Sequence, residues 1–580
     1  MSDLADLDFH PSQLAHLPII SEYTRRLGIL GAVDAALPRD GRNKVSDAEC
    51  VGLMMLNILS GRVGLYHMGP WLEATDEGVV LGEGCSPGLF SDARLAGALD
   101  RIFEYGPDNL LTDVVLSYLR GGESPGEYSV HHDTTTLKLY GEYANVFREG
   151  GPVPLNGFSK DHRPDLKQLV YGMSLHGTMG IPLCVSVLDG NASDKEANRL
   201  HLDRLAGLLP PEDDVTLVAD CKLVDKTTIG RVLDAAFHFV SLLPRSYKLQ
   251  RQAAEQAAAM PGDLPLLARE KGRNAEEPDR VYRGTSFRAP FTVLDPETGK
   301  ETTREMRLLA VESPQLARKF EAGLAKRLAK DRGRIERAMK NLEETDFACE
   351  EDAEKAFWKF SKAPKLHELT VECAPAVITL PRKRRGRPKK GEPAPTKTVY
   401  RLRTKSVEVD HAAVERARVR ARFFVLITDH LDTKRWPDTR VLTEYRHQHL
   451  IEGHTGFRWL KGPAMVAPLM LNTPARIAAL GMVFVLALMV RNYIQAVARA
   501  NLAKLPGLTF PNMDYKPTRS PTTENVFWLF RNVSSVAISK GGVELDRRIS
   551  GLDEHCRLAM KLLDLAERAF LERRKRPVAS

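Results

Sequence analysis

The spacing of apolar residues divides the chain into a helical part, a strand-rich part and a helical end. Over residues 1–125, apolar residues recur every three or four positions, as in ISEYTRRLGILGAVDAAL, which is the period of an amphipathic helix. From Tyr128 onward, short apolar runs bounded by turn residues indicate strands. Because a helical segment, residues 194–209, separates the third and fourth runs, we predict an α/β sheet domain.

A segment of different composition follows the sheet region. The alternation of short strands and turns ends near Pro244, and a buried helix begins again near Val441. Between these points we predict six further strands and a charged, mostly helical stretch from Pro314 to Lys362. We therefore interpret residues 245–440 as a β-rich insertion with a charged helix.

The last part of the chain is predicted to be helical. The most apolar stretch, Ile477 to Val490, has about 14 residues, which is well short of the roughly 20 that span a bilayer. We therefore expect a buried core helix. Residues 501–580 end in LDEHCRLAMKLLDLAERAFLERRKR, whose apolar spacing predicts a helix packed on a partner surface.

The charge balance favours a polyanionic partner inside the cell. The chain has 83 Lys and Arg against 75 Asp and Glu, a formal net charge of +8. Its first residues, MSDLADLDFHPSQLAHL, are acidic where a signal peptide would be basic. We therefore expect a cytoplasmic protein with no membrane partner.

Two aspartates end predicted strands. Asp133 follows the run YSVHH and precedes a Thr-rich turn, and Asp220 follows the run DVTLVA and precedes a helix. Each acid alone also fits a turn former or a helix cap. Because strand ends are where α/β sheets place chemistry, the two carboxylates can share metal ions. Carboxylates are the hard ligands that Mg²⁺ prefers, and paired metals suffice for phosphodiester cleavage.

A third motif, LTEYRHQHLIEGHTGFRWLKGP, precedes the apolar helix. Tyr445 and Glu452 are seven residues apart, so a helix brings both to one face. Arg446 adjoins Tyr445, and Lys461 follows Glu452 by nine residues, which puts it on the opposite face of an unbroken helix.

Two glycines and a histidine bear on this spacing. Gly453 and Gly456 can break the helix and return Lys461 to the side of Glu452. His454 competes as the third ligand, because it lies seven residues before Lys461. We favour Glu452, since a hard Mg²⁺ site prefers carboxylate to imidazole.

These motifs resemble the bacterial insertion-sequence DDE transposases of the subgroup with a Tyr-Arg-Glu-Lys signature. The resemblance also covers GFSKDHRPDLKQLVYGMSLH (157–176), LDGNASDK (188–195) and the N-terminal SEYTRRLGIL, so it spans most of the chain. It implies an RNase H-like catalytic core interrupted by a β-rich insertion. In that core Asp133, Asp220 and Glu452 would be the catalytic acids.

The resemblance also implies cofactors, partners and domains. Two Mg²⁺ or Mn²⁺ ions would bind the three acids, and a homodimer would pair two DNA ends, acting on terminal inverted repeats and target DNA. Tyr445, Arg446 and Lys461 would contact DNA, although Arg446 adjoins Tyr445 and Gln448 occupies the usual position of the signature arginine. The predicted domains are an N-terminal helical region that either binds DNA ends or is structural (1–125), the first part of the core (126–244), the insertion (245–440), the third-acid and buried helices (441–500) and a helical C-terminus (501–580).

A basic run lies inside the insertion. The segment PRKRRGRPKKG (381–391) carries seven basic residues among the nine from Arg382 to Lys390. Its centre, with Arg385 and Arg387 around Gly386, resembles the AT-hook, in which arginines enter a narrow minor groove. The alternative is a solvated basic linker, and in either case we expect disorder without DNA.

Three functions remain open from the sequence. The first is a transposase that cleaves DNA ends and joins them to a target. The second is an RNase H-like nuclease that only cleaves, and the third is a DNA-binding protein with a degenerate site. The intact acid triad argues against the third, and a strand-transfer assay separates the first two.

Overall fold

The computed structural model describes residues 7–121, 127–139, 152–157, 163–177, 179–209, 213–271, 279–361, 366–381, 394–453, 456–461 and 473–575. Within these ranges the protein is a mixed α/β structure built on one large mixed sheet.

The N-terminal region is a strand followed by a set of helices. The elements are β1 (Asp8–Gln13), α1 (Leu17–Arg26), α2 (Ile29–Ala36), α3 (Asp47–Leu59), α4 (Met68–Glu73), α5 (Glu77–Val80), α6 (Asp92–Tyr105) and α7 (Pro107–Gly121). A capping box begins α3, because Ser46 and Glu49 each accept a backbone hydrogen bond from the other. The predicted helical pattern is confirmed here, whereas β1 was not predicted.

The first part of the sheet follows the predicted strand pattern. Its elements are β2 (Glu127–Leu139), β3 (Lys167–His176), β4 (Ile181–Leu188), α8 (Asp194–Leu208), β5 (Asp214–Ala219), α9 (Lys226–Asp234) and β6 (His238–Leu242). Strands β2, β3 and β4 are antiparallel neighbours, and β5 and β6 run parallel to β2. Strand β3 is buried along nearly its whole length, as a central strand requires.

The next part of the chain adds strands to the same sheet and also forms a separate cluster of helices and a hairpin. The elements are α10 (Lys248–Ala258), β7 (Leu266–Glu270), β8 (Arg280–Leu294), β9 (Glu301–Glu312), α11 (Pro314–Ala322), α12 (Leu324–Glu343), α13 (Glu350–Ser361), β10 (His367–Thr379), β11 (Thr396–Val409), α14 (His411–Arg422) and β12 (Phe423–Thr428). The charged helical stretch predicted from Pro314 is confirmed as α11, α12 and α13.

The main sheet has nine strands in the order β4-β3-β2-β5-β6-β12-β9-β8-β7. Residues assigned to the insertion therefore supply four strands of this sheet, beginning with β12, which pairs antiparallel with β6. The hairpin of β10 and β11 stands apart as a two-stranded sheet. It shares a small core with α12 and α13, centred on Ile335, Met339, Ala353 and Leu402.

The last part of the chain contains both helices and strands. The elements are α15 (Asp438–His447), α16 (His449–Glu452), α17 (Phe457–Leu460), α18 (Pro474–Ala503), β13 (Phe510–Pro511), β14 (Pro517–Thr518), α19 (Thr523–Leu529), β15 (Ser534–Lys540), β16 (Val543–Ser550) and α20 (Glu554–Leu562). Helix α18 contains the predicted core helix, and this prediction is confirmed. By length and composition α18 is apolar enough to cross a membrane, but 94% of its most apolar window is buried inside the molecule, which is consistent with a soluble protein.

The prediction of an all-helical C-terminus was wrong for the hairpin of β15 and β16. Gly541 and Gly542 both have positive φ (57° and 80°), the conformation that a two-residue hairpin turn requires. The predicted terminal helix is also shorter than expected. It ends at Leu562 because Asp564 adopts a left-handed φ of 50°.

The two ends of the described chain meet in one small sheet. Strand β1 pairs with β15, which pairs with β16. The hydroxyl of Tyr23 on α1 donates to the Leu563 carbonyl at 2.8 Å. Buried Arg547 of β16 forms an ion pair with buried Asp76 beside α5. A single hydrophobic core therefore joins the N-terminal helices, one face of the main sheet, α18 and the C-terminal segment.

A histidine between two carboxylates joins the ends of three central strands of the main sheet. His238 Nδ1 lies 2.6 Å from Asp429 Oδ2, and His238 Nε2 lies 3.6 Å from Asp214 Oδ1. Asp429 also accepts a hydrogen bond from the Phe239 amide at 2.9 Å. The hydrogen bond to Asp429 raises the pKa of His238 above its usual 6.5. When protonated, the histidine thus joins β5, β6 and the end of β12.

We predict that this cluster makes stability depend on pH. Because the pKa of His238 is higher in the folded state, its contribution is fully present below about pH 6.5 and is lost as the pH rises through the raised pKa. The melting temperature of wild type should therefore exceed that of His238→Gln at acidic pH, and the gap should close in alkaline buffer. Exposed His411, changed to Gln, is the control. A gap independent of pH would contradict the prediction.

Candidate active site

Asp133 and Asp220 lie side by side on neighbouring strands. The parallel pairing of β2 with β5 places His132 opposite Ala219 at the end of its register. Asp133 and Asp220 are the next residues along the two strands. Strand β2 continues through Asp133 to Leu139, so the prediction that Asp133 ends a strand before a Thr-rich turn was wrong. Asp220 directly follows β5 with extended backbone (φ −69°, ψ −178°), as predicted. Neighbouring strands are about 4.8 Å apart, and paired residues point to the same side. The two carboxylates therefore leave the sheet together on one face.

That face is covered by α15. Side chains alternate along a strand, so Ser129 and His131 share the side of Asp133. Ser129 Oγ donates to Glu444 Oε2 of α15 at 2.8 Å, and His131 Nε2 lies 3.9 Å from the same carboxylate. Burial lowers the pKa of His131 to about 4, so the imidazole is neutral at physiological pH. Asp133 thus projects beneath the helical segment that carries the third motif.

The neighbouring histidine points to the other face, as the strand alternation predicts. His132 Nδ1 lies 3.0 Å from Ser174 Oγ, and His132 Nε2 lies 2.9 Å from Asn198 Oδ1 of α8. His132 is 3% exposed. Its side chain therefore belongs to the packing between the sheet and α8.

Gln448 anchors the third motif to the strand of Asp133. This residue joins α15 to α16, and its Nε2 donates to the His132 carbonyl at 3.0 Å in a buried position. The backbone oxygen that it binds belongs to the residue directly before Asp133. Helix α16 also packs against β2 and β3. Glu452, the last residue of α16, is exposed and is held near the aspartate edge by this contact.

The helix breaks after Glu452, as the glycines predicted. Gly453 ends α16 with extended backbone (φ −84°, ψ −157°), and α17 begins only at Phe457. At Gly456 an added Cβ would lie 2.0 Å from the Ile451 carbonyl oxygen, so the chain folds back too closely for any larger residue. Lys461 therefore does not continue the helix of Glu452. Its side chain is half-buried after α17.

Tyr445 lies within the field of all three predicted acids. Burial raises the pKa of its phenol, and the negative charges of Asp220, Glu452 and Asp133 raise it further, together with the nearby thiol of Cys221. The ring packs on Phe424 with centroids 6.5 Å apart. The structure thus brings Asp133, Asp220, Glu452 and Tyr445 into one neighbourhood, although they come from three distant parts of the sequence.

The three acids lie near one another, but they do not form a complete set of metal ligands. Among the residues that the structure describes, no group of three or more His, Cys, Asp or Glu side chains has the geometry of a metal site. The donor chemistry nevertheless fits divalent metals such as Mg²⁺, because two carboxylates project side by side from neighbouring strands and a third lies on the overlying helix. Two or three carboxylates without a cation would repel one another.

Arg446 and the AT-hook arginines stand apart from this neighbourhood. Arg446 forms an ion pair with Glu270 of β7 and lies 4.7 Å above the Tyr282 ring of β8. Burial lowers the pKa of its guanidinium. A DNA contact by Arg446 stays a prediction, and the structure gives this side chain a packing role against β7 and β8. Arg385 and Arg387, like His454, lie outside the described residues.

Glu444 and Gln448 were not singled out from the sequence, although both lie in the motif LTEYRHQHLIE. The one signal was that Gln448 occupies the position where the resembled family has its basic residue. Trp436 is 2% exposed and stacks on His430 with centroids 3.8 Å apart, so it is a core residue.

One family model matches part of the chain. It is described as a domain of unknown function (DUF4277) and covers residues 10–116. The matched residues include α1 to α6 and most of α7, and they end before Asp133. No curated protein matches the chain. The match therefore covers the N-terminal helices and none of the three predicted acids.

We predict that Gln448→Leu slows DNA cleavage more than it weakens the fold. The loss of one buried hydrogen bond should lower the free energy of unfolding by about 0.5–1.5 kcal/mol. It also frees α16, and thus Glu452, from the strand of Asp133. Urea unfolding and single-turnover cleavage measure the two effects. Gln250→Leu is the control, since Gln250 is 3% exposed on α10, on the opposite face. Equal cleavage by both variants would argue against the anchoring role.

Proposed function

We propose that the protein is a metal-dependent DNA transposase whose catalytic acids are Asp133, Asp220 and Glu452. The single observation that carries the proposal is the register of β2 and β5, which sets Asp133 and Asp220 side by side beneath the segment bearing Glu452. This arrangement supports phosphodiester chemistry, because it offers hard oxygen ligands on two rigid neighbouring strands.

The sheet order supports an RNase H-like core. Three antiparallel strands, β4-β3-β2, continue into two strands parallel to β2, namely β5 and β6. The first acid lies on the central strand of this group and the second on its parallel neighbour. The β10–β11 hairpin with α12 and α13 is then the outlying part of the proposed insertion.

Each group has a distinct proposed task. Asp133, Asp220 and Glu452 would hold two Mg²⁺ or Mn²⁺ ions, which activate a water or 3'-hydroxyl and stabilise the leaving oxygen when bound. Gln448 keeps Glu452 near the strand that carries Asp133. The phenol of Tyr445 stays protonated beside the carboxylates, so it can donate a hydrogen bond to a phosphate oxygen. The proposed assembly is a homodimer on paired DNA ends.

The proposal is tested by strand transfer. Purified protein is incubated with Mg²⁺, a pre-cleaved element end carrying a free 3'-hydroxyl, and a supercoiled target plasmid. We expect covalent joining of the end to the target, with Asp220→Asn as the inactive control. Hydrolysis without joining would reassign the protein as a nuclease. Binding of the end with neither reaction would indicate a DNA-binding protein.

A further inference from the structure

One face of helix α12 packs against the β10–β11 hairpin. Ile335 and Met339 are buried against β10 and β11. Asp331 fixes the same side, because its Oδ2 accepts from the Leu366 amide at 2.7 Å and lies 3.0 Å from His367 Nδ1. The orientation of the helix is therefore set by packing and by a half-buried carboxylate. Its opposite face is free to meet a partner.

The opposite face is a row of cations. At 100° per residue, Lys326, Lys330, Arg337 and Lys340 fall within about 80° of one another and lie directly opposite Ile335. All four are exposed. In the described part of the chain none of them forms an ion pair with an acid. The helical acids lie elsewhere: Asp331, on the packed side, pairs with Arg334 at 2.8 Å, and Glu336, on a flank, pairs with Arg332 at 2.9 Å.

Gly333 lies in the middle of this row and is not explained by the fold. It is inside the helix, and an added Cβ would meet nothing within 4 Å. Glycine is among the least favourable residues in a helix interior, so the fold alone would favour alanine there. Ala329 is the neighbouring small residue on the same side. Neither residue places a long side chain between the flanking cations, and Arg337 Nε donates to the Gly333 carbonyl at 3.1 Å, so this cation lies against the helix backbone.

We infer that this face of α12, defined as Lys326, Lys330, Gly333, Arg337 and Lys340, binds the sugar-phosphate backbone of duplex DNA. The row from Lys326 to Lys340 is about 21 Å long. It exceeds the roughly 12 Å width of a major groove, so its ends reach phosphates on both strands. The small residues Gly333 and Ala329, at the centre of the row, let the helix approach the groove. Such contacts position a protein on DNA without reading its sequence.

This inference extends the proposed DNA partner to a second surface and does not depend on cleavage at the carboxylates. Binding is therefore measured in EDTA, with fluorescence anisotropy of a short random-sequence duplex over a range of salt concentrations. The test variant changes Lys326, Lys330, Arg337 and Lys340 to Gln. We expect its affinity to fall more than about tenfold, and the slope of log K against log salt to fall by about 3.

A matched control removes the same charge elsewhere. Arg42, Lys226, Arg288 and Arg548 are exposed but each is paired with a neighbouring carboxylate, and all four are changed to Gln. We expect this control to bind DNA nearly as wild type does. Equal losses in both variants would mean that net charge alone matters, which overturns the inference. Circular dichroism and thermal unfolding check that both variants are folded.

Gly333 gives a separate test of close approach. Gly333→Gln keeps the charge of the face but fills its centre, so we expect a lower DNA affinity with an unchanged salt slope. Gly333→Ala adds one methyl group and should bind close to wild type. Unchanged affinity of the Gln variant would exclude close approach. The affinity of the four-residue variant is also measured for poly-glutamate and for double-stranded RNA. If its affinity for either of these falls more than its affinity for duplex DNA, DNA is excluded as the occupant of this face.

Discussion

Asp133→Asn and Asp220→Asn should each abolish Mg²⁺-dependent DNA cleavage while leaving DNA binding nearly intact. Asparagine has almost the same shape as aspartate but loses the charge that a hard divalent metal requires. Partners that only orient metal ligands typically cost 10–100-fold when removed, so loss of a proposed ligand should exceed about 100-fold. DNA affinity should change by less than about twofold, because it depends mainly on cationic contacts with phosphates.

The paired measurement uses one preparation of each variant. Cleavage of an end-containing duplex is followed with Mg²⁺, and binding of the same duplex is followed in EDTA. Asp189→Asn is the control, since Asp189 is a loop acid that accepts from the Val153 amide at 2.7 Å, away from β5. If either Asp133→Asn or Asp220→Asn keeps cleavage within about tenfold of wild type, that acid is not a metal ligand.

Glu452→Gln should eliminate turnover, whereas His454→Ala should keep measurable cleavage. Glu452 ends the helix that Gln448 fastens beside Asp133, and its charge acts on the same tyrosine as the charges of both aspartates. A hard metal site also prefers carboxylate to imidazole. We expect Glu452→Gln to lose more than about 100-fold in single-turnover rate, as for the aspartates.

The ranking of the two variants decides the assignment. Glu354→Gln, an exposed acid on α13, is the matched control for loss of one surface carboxylate. Addition of Mn²⁺ should not restore the cleavage activity of Glu452→Gln, because an amide cannot supply the missing charge. If His454→Ala is the inactive variant and Glu452→Gln the active one, the third acid has been assigned to the wrong register.

The sequence predicted those features that depend on local pattern. The strands before Asp133 and Asp220, helix α8 and the charged helices α11 to α13 were recognisable because apolar spacing and turn residues agree within each segment. The break after Glu452 was predicted because glycine is the residue that permits it. These are properties of a few consecutive residues.

Features that depend on distant pairing were not predicted. The joining of β12 to β6 extends the sheet into the expected insertion, and no local pattern reports which strands become neighbours. The anchoring of Gln448 on the His132 carbonyl also depends on packing, since a backbone oxygen has no sequence signature. The β15–β16 hairpin is different, because its Gly541-Gly542 pair was a readable turn signal that the helical interpretation overlooked.

The pairing of β1 with β15 has a consequence for how the molecule is made. His10 and Ser539, whose side chains lie 3.2 Å apart across this pair, are 529 residues apart in the chain. During synthesis β1 must therefore wait, unpaired, until β15 has been translated. Such non-local closure slows folding far more than it weakens the finished structure. The open edge of a nascent β1 is therefore available to a chaperone, or to a second nascent chain, throughout that interval.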